Sequence, residues 1–245
     1  MPPYAVRVPP TTVADLLTLL VREPGRPRVT WYGDDGERVE LSGAVLGNWV
    51  SKTTNLLVEE FDAGPGTRVA LDLPGHWRTV VWALAVWRAG ACVVSPGAGP
   101  VDVLVTDSPA GASARDQVVA VALPALARSF PDPLPPGAID AAGAVMTYGD
   151  VIGWTAPLDP SAAALDGVVT RSHADLLTDP AAEADRVLRA AGPRSEVVAF
   201  LLDVLAVLAG DGSVVLTSPA TTAELADDAP RRDRLVASER VTAAG

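Results

Sequence analysis

The sequence contains few of the side chains that form disulfides or metal sites. Cys92 is the only cysteine among 245 residues, and the two histidines, His76 and His173, lie far apart in the chain. A single thiol closes no internal disulfide, and neither residue type is numerous enough for a cysteine- or histidine-rich metal site. We therefore expect no bound metal. Cys92 lies in a short apolar run, which favours a small buried hydrophobic residue over a nucleophile.

Lysine is almost absent as well. Lys52 is the single lysine, so arginine supplies nearly all of the 19 basic residues, against 30 acidic ones. The net charge of −11 disfavours nucleic acid and membrane surfaces as partners, because both present negative charge. Lys52 lies in the middle of a predicted helix, where we expect a solvated side chain.

Long apolar runs are missing too. No segment approaches the roughly 20 apolar residues of a membrane-spanning helix, and no charged start followed by an apolar core marks a secretory signal. Hydrophobic residues make up 49% of the chain and charged residues 20%, which is typical of a globular protein. The sequence therefore predicts a cytoplasmic protein.

What the sequence does contain is an alternation of helix and strand patterns. A helix capped by threonine comes first, and a hairpin around a turn at 33–36 and a helix capped by Ser42 follow it. Another helix is predicted at 76–89, where it would stop at Gly90. Short apolar strands are predicted at 68–74, 91–96, 101–107 and 118–123.

These patterns indicate an α/β fold. Nearly continuous apolar strands are typical of a sheet that is buried on both faces. The order strand, crossover helix, strand predicts mainly parallel sheets with right-handed connections and helices on their faces. Further along the chain we predict helices at 175–190 and 197–208 and a strand at 213–216.

The domain organisation follows from a proline-rich break at 131–137. We expect a single domain, 1–245, in which two lobes at 1–130 and 161–230 flank a weakly patterned connector at 131–160.

The order of these elements is similar to the opening of the adenylate-forming superfamily, which includes acyl-CoA synthetases, luciferases and peptide-synthetase adenylation domains. Within that superfamily the chain resembles a group of short actinobacterial proteins related to the N-terminal ligase domain. The resemblance implies the fold of the first part of that domain. The matching segments are 40–42, 48–50, 64–70, 73–74, 87–94, 103–107 and 201–219.

The resemblance also implies a chemistry for which this chain lacks residues. Such enzymes hold ATP on a loop rich in Ser, Thr and Gly that ends in Pro-Lys-Gly. The matching flanks here leave no room for it between Leu165 and Val168, and Asp166 stands where phosphate-binding donors are needed. The family's catalytic lysine, in a C-terminal domain, and its magnesium and ribose motifs have no match. We therefore expect no cofactor, with ATP or AMP implied by the resemblance alone.

One group of candidate ligand-binding residues follows the missing loop. Thr170, Arg171, Ser172 and His173 would line a polar cleft beside the sheet. The alternative, which we favour, is that Ser172 and His173 cap a helix at 174–177.

Two further candidates, Ser95 and Asp107, each follow a predicted strand. The carboxyl ends of strands in α/β sheets are where a ligand crevice usually opens. The simpler interpretation is that each residue ends a strand and starts a turn. For His76, a capping or surface role is favoured over catalysis.

Two functions remain open on these observations. The first is a non-catalytic relative that binds a nucleotide, an acyl group or a protein partner. The second is part of an active AMP-forming ligase that another chain completes. Homodimer formation through surfaces left uncovered is a further hypothesis.

Overall fold

The structure, a computed structural model, describes residues 9–95, 97–112, 117–181 and 185–244. Its α-helices are α1 Val13–Leu20, α2 Gly43–Phe61, α3 Trp77–Ala89, α4 Ala141–Ala144, α5 Val197–Ala209, α6 Pro219–Asp227 and α7 Ala229–Ser238. Its strands are β1 Pro27–Tyr32, β2 Arg38–Ser42, β3 Arg68–Asp72, β4 Cys92–Val94, β5 Val103–Thr106, β6 Gln117–Ala120, β7 Ile139–Asp140, β8 Ala163–Asp166, β9 Arg171–Ser172, β10 Arg186–Ala190, β11 Ser213–Thr217 and β12 Ala243–Ala244.

The described strands form two mostly parallel sheets. The first sheet has five strands in the order β12-β10-β11-β1-β2, and the second has seven in the order β7-β6-β5-β3-β4-β8-β9. Among the strand pairs that the structure describes, only the hairpin pairs β1–β2 and β8–β9 are antiparallel. The predicted α/β fold is confirmed.

Helix α3 lies between the two sheets. It contacts β3 and β4 of the second sheet and β1 of the first, and α1, α2 and α5 pack around it. Because it has neighbours on all sides, nearly every one of its residues is buried. One continuous apolar core runs from the first sheet through these helices to the second.

The helix ends follow the predicted caps. The Thr12 hydroxyl accepts a hydrogen bond from the Asp15 backbone N–H, and the Asp15 carboxylate accepts one from the Thr12 backbone N–H, which forms a capping box. Ser42 caps α2 in the same way, through the backbone N–H of Val45. Cys92 is a free, buried thiol, as predicted.

Two predicted helices are wrong. The segment 175–190 holds turns followed by strand β10, because Val187 and Leu188 pair with β11 and β12; within it, 182–184 lie outside the described residues. The segment 174–177 is a turn, because the N–H groups of His173 and Ala174 donate to the carbonyls of Ala162 and Pro160. At β10 the strand pairing uses backbone groups that a helix would need, and at 173–174 the two bonds attach the turn to the segment before β8.

The two sheets draw strands from both predicted lobes. Strands β1 and β2 pair into the same sheet as β10, β11 and β12, and the second sheet contains β8 and β9 beside β3 to β7. The division into lobes therefore stays a prediction. No helix among the described residues is long and apolar enough to cross a membrane.

An extended segment at 148–158, here called the strap, crosses helices α2 and α3. Asn55 is buried and donates to the carbonyls of Gly149 and Val151, and it accepts from the N–H of Gly153. Lys52 donates to the carbonyl of Tyr148 at 2.6 Å, and its ammonium lies 2.9 Å from Asp150. The predicted solvated lysine is wrong, because the strap covers this face of α2.

We expect Asn55→Ala to lower the free energy of unfolding by about 1–3 kcal/mol, because one side chain supplies three hydrogen bonds to the strap. Urea denaturation measures the loss, and limited proteolysis should then cut within the strap. Asn48→Ala is the matched control, because Asn48 lies on the same helix and is exposed. Equal losses for the two variants would contradict the role of Asn55.

Candidate functional site

A large cavity of about 720 Å³ lies where the carboxyl ends of strands from both sheets meet. The crevice outside the carboxyl ends of strands is the usual ligand site of α/β sheets. Its lining comes from segments that follow β1, β3, β6 and β11. These lining residues are Trp31, Gly33, Asp34, Asp35, Gly36, Glu37, Arg38, His76, Leu123, Pro124, Ala125, Leu126 and Ser218.

His76 is the most buried titratable side chain of this cavity, at 4% exposure. Its Nδ1 accepts a hydrogen bond from the backbone N–H of Arg78, which confirms the predicted capping of α3. The ring packs edge-on against Trp31, with 4.4 Å between the ring centroids. Burial, with the charge of Arg78, lowers the pKa of His76 to about 3. The imidazole is therefore neutral at pH 7, and its proton lies on Nε2 because Nδ1 is an acceptor.

Glu37 ties together the two sides of the cavity. One of its carboxylate oxygens accepts from the indole N–H of Trp31 at 2.9 Å, and the other accepts from the backbone N–H of Ala125 at 2.8 Å. These bonds connect the β1–β2 hairpin to the loop that follows β6. Glu37 therefore joins the first sheet to a loop of the second sheet at the mouth of the cavity.

The other carboxylates of the cavity come from the hairpin turn. Asp34 accepts a hydrogen bond from Ser218 at 2.5 Å, and Asp35 is exposed in the left-handed region with φ of 53°. Arg38, the cation of the lining, is paired with Glu40 and with Glu239 outside the cavity. The lining therefore carries more negative than positive charge, and the buried Arg78 behind the wall partly balances Glu37.

Asp107, at the carboxyl end of β5, lies in an ion cluster. The guanidinium of Arg194 is 2.7 Å from the Asp107 carboxylate and 3.1 Å from that of Asp72. This cluster attaches the segment before α5 to the second sheet. Both acidic groups already have a cation between them, so the cluster offers little free charge to a ligand.

Ser95 follows β4 and is packed by the chain itself. Its Oγ is buried without a hydrogen-bond partner among the described residues. A Cβ atom added to Gly167 would lie 2.2 Å from that oxygen, and Gly167 has φ of +149°. The two residues therefore fill the space beside each other, and a larger residue at 167 would not fit.

The chain passes from β8 to β9 through the short loop 167–170, in which Thr170 is exposed. Asp166, at the end of β8, is 2.6 Å from the guanidinium of Arg68. Arg68 also donates to the carbonyl of Pro100 at 2.8 Å. Where the family resemblance implies a phosphate loop, the structure has a tight hairpin with an ion pair beside it.

The remaining predicted site residues run away from the carboxyl edge of the sheet. Arg171 pairs with Asp179 at 3.3 Å, and Ser172 donates to Asp175 at 2.6 Å. His173 is buried with Nε2 3.1 Å from the carbonyl of Gly90, which precedes β4. Burial also lowers the pKa of His173.

The structure therefore does not gather the predicted candidates into one cleft. Ser95 and Asp107 lie at the carboxyl edge of the second sheet, whereas His173 lies toward the opposite edge, beside a separate cavity of about 260 Å³. Whether any of these residues binds a ligand stays a prediction.

Sequence reasoning missed most of the large cavity. Trp31, Glu37 and Ser218 are not among the predicted candidates, and for His76 the sequence favours a capping or surface role. One signal was present, because Gly33, Ser218 and His76 each lie just past the end of a predicted strand. The carboxyl-end rule that selected Ser95 and Asp107 would have selected them too.

The amino-acid sequence is similar to that of one known protein family member. No protein-family model matches it. A TIGR03089 family protein of Mycobacterium tuberculosis is 37% identical over 255 residues, which cover 95% of this chain and 98% of the relative. This chain belongs to the TIGR03089 family.

Solved structures similar to this TIGR03089 protein are acyl-CoA synthetases. They are the acetoacetyl-CoA synthetase of Streptomyces lividans (16% identity, TM-score 0.65), a fatty acyl CoA synthetase of Mycobacterium tuberculosis (14%, 0.64) and an acyl-CoA synthetase of Brucella canis (17%, 0.62). The matches cover 85%, 96% and 86% of this chain.

The TIGR03089 chain spans less than half of each synthetase, at 38%, 49% and 44% of their lengths. Identities this low show the fold alone. The predicted relation to the N-terminal part of adenylate-forming enzymes is confirmed at that level.

Proposed function

We propose that this protein is a non-catalytic relative of the adenylate-forming enzymes that binds a small molecule in the crevice between its two sheets. The observation that carries the proposal is the tight hairpin 167–170, at the position where the resemblance implies a phosphate loop. The large cavity beside His76 supplies the binding space.

Adenylate formation has demanding electrostatics. It joins a carboxylate to the α-phosphate of ATP, so two anions must approach while negative charge builds on the transferred group. Backbone N–H groups, cationic side chains and a magnesium ion usually stabilise that charge. Near the hairpin the cation Arg68 is already paired with Asp166, and Ser95 is packed against Gly167. These contacts support a site that does not hold a triphosphate.

The large cavity is also unsuited to phosphate. Asp34, Asp35 and Glu37 line it, and its arginine is paired elsewhere. Two like charges 4 Å apart repel by about 1 kcal/mol in bulk water and by about 4 kcal/mol near a protein surface. We therefore propose that neither ATP nor AMP is a resident cofactor.

We expect no ATP–pyrophosphate exchange above background when the purified protein is incubated with ATP, magnesium and a panel of carboxylic acids. An active acyl-CoA synthetase assayed in parallel serves as the positive control. Turnover by the purified chain alone would overturn the proposal.

A second function, part of a ligase completed by another chain, is favoured by one observation. The chain spans 38–49% of the solved synthetases that it resembles. Exchange that appears only when a second purified chain supplies a lysine and a phosphate loop would support this alternative.

A further inference from the structure

We propose that the large cavity binds an organic cation: a protonated amine that carries an apolar body and a hydrogen-bond-accepting oxygen. The inference rests on the proposed binding role of the crevice, and it is independent of whether the protein also has catalytic activity. The carboxylates of the cavity indicate the ammonium group, His76 indicates the acceptor oxygen, and the apolar wall indicates the apolar body.

The charge of the cavity selects a cation. Asp34, Asp35 and Glu37 lie within four consecutive residues and line the same space. Across the described ranges, neither Asp34 nor Asp35 forms an ion pair with an arginine or lysine, since Arg38 pairs with Glu40 and Glu239, whereas Glu37 interacts electrostatically with the buried Arg78. Carboxylates held together beside a partly enclosed cavity raise the local concentration of positive ligands.

The same carboxylates favour an ammonium group over a metal ion. No group of three or more His, Cys, Asp or Glu side chains in the described part of the chain is arranged to hold a metal. Each described bond to Asp34 and Glu37 comes from an O–H or N–H donor, which leaves further lone pairs on the carboxylate oxygens. A protonated amine supplies N–H donors for those lone pairs.

His76 requires an acceptor on the ligand. Its side chain is 4% exposed and lines the cavity, and Nδ1 is already occupied by the Arg78 N–H. The protonated Nε2 forms no hydrogen bond within the residues that the structure describes, and it is not fully buried, so this donor is open to the cavity. A hydroxyl or carbonyl oxygen on the ligand would accept from it.

The remaining wall is apolar. Trp31, Leu123 and Pro124 line the cavity, and Leu126 lies at its mouth with 93% of its surface exposed. A volume of about 720 Å³ lies within the usual range of small-molecule pockets. An aromatic or aliphatic body would cover this wall and the exposed leucine.

The test uses phenylalaninol, which combines an ammonium group, a hydroxyl and a phenyl ring. Isothermal titration calorimetry with the full chain should show one binding site that weakens as salt is added. N-acetylphenylalaninol, which lacks the charge, should bind at least about tenfold more weakly. Phenethylamine, which lacks the hydroxyl, should also bind more weakly because it cannot accept a hydrogen bond from His76.

A pair of matched variants tests the location of the site. Asp34→Asn with Asp35→Asn removes two charges, keeps the acceptor for Ser218, and places asparagine at a left-handed position that it tolerates. We expect about tenfold weaker phenylalaninol binding. Glu59→Gln with Asp62→Asn is the control: both residues are exposed outside the cavity lining, and Asp62 is also left-handed, with φ of 51°. This control should bind as the unmodified protein does.

Three outcomes would overturn the inference: no phenylalaninol binding at millimolar concentration, equal binding of its N-acetyl derivative, or equal loss in both double variants. The derivative comparison needs no variant, so it decides even where a variant fails to fold. ATP turnover would overturn the proposed lack of catalysis and leave this inference standing. If phenylalaninol does not bind and no ATP turnover is seen, the inference of an amine ligand fails, but the proposed non-catalytic binding role is not contradicted.

Discussion

Replacing Asp211 with asparagine should lower the free energy of unfolding by about 3–5 kcal/mol, because it leaves a buried arginine without its counter-charge. Arg28 is completely buried, and its guanidinium lies 2.8 Å from the Asp211 carboxylate. It also donates to the carbonyl of Leu20 at the end of α1. The pair thus joins α1 and β1 to the turn before β11.

Urea denaturation would measure this loss, with circular dichroism to confirm that the variant folds. Asparagine is the appropriate replacement because Asp211 has a φ of 61° and asparagine tolerates that region. The control is Asp203→Asn, which breaks an exposed ion pair to Arg189 at 2.7 Å and should cost less than about 1 kcal/mol. Similar losses of unfolding free energy in the two variants would contradict the prediction that the buried Arg28–Asp211 pair contributes more than an exposed one.

Acid should destabilise the protein through His76, and His76→Asn should remove that part of the pH dependence. The pKa of His76 is about 3 in the folded protein, against an ordinary value of 6.5. Below pH 6.5 the unfolded chain binds a proton that the folded chain does not, so the stability falls as the pH falls from 6.5 toward 3. One pKa unit corresponds to about 1.4 kcal/mol, so the full effect is roughly 5 kcal/mol and is reached below pH 3.

Unfolding free energies measured for both proteins across this pH range would test the prediction. Both retain His173 and every carboxylate, so the difference between their pH profiles isolates His76. Asparagine keeps a side chain able to cap α3. Parallel profiles for the unmodified protein and His76→Asn would show that the buried imidazole contributes no acid sensitivity.

Local patterns were sufficient for much of the fold. Thr12 and Ser42 lie at the starts of α1 and α2 because their side chains accept hydrogen bonds from backbone groups within the same turn. The strands β3 to β6 pair in parallel, as their nearly continuous apolar sequences predicted. In both cases the decisive interactions involve neighbouring residues or a short repeat.

The predictions that were wrong concern segments whose structure depends on residues far away in the chain. The segment that forms β10 has residues compatible with a helix, and it becomes a strand because β11 and β12 supply its hydrogen-bond partners. The sequence around Lys52 predicts an exposed side chain, but Tyr148 and Asp150, about a hundred residues later in the chain, bond to its ammonium group. No local pattern contains those partners.

The candidate site shows the same limit most clearly. The sequence by itself determined an acidic, lysine-poor α/β protein with most of its helix caps and strands, because composition, caps and periodicity act over a few residues. Only the tertiary structure decided that Glu37, His76 and Ser218 share one cavity and that His173 lies elsewhere. The reason is physical: a parallel sheet brings together the ends of strands that are distant in the chain, through contacts that leave no periodic trace in it.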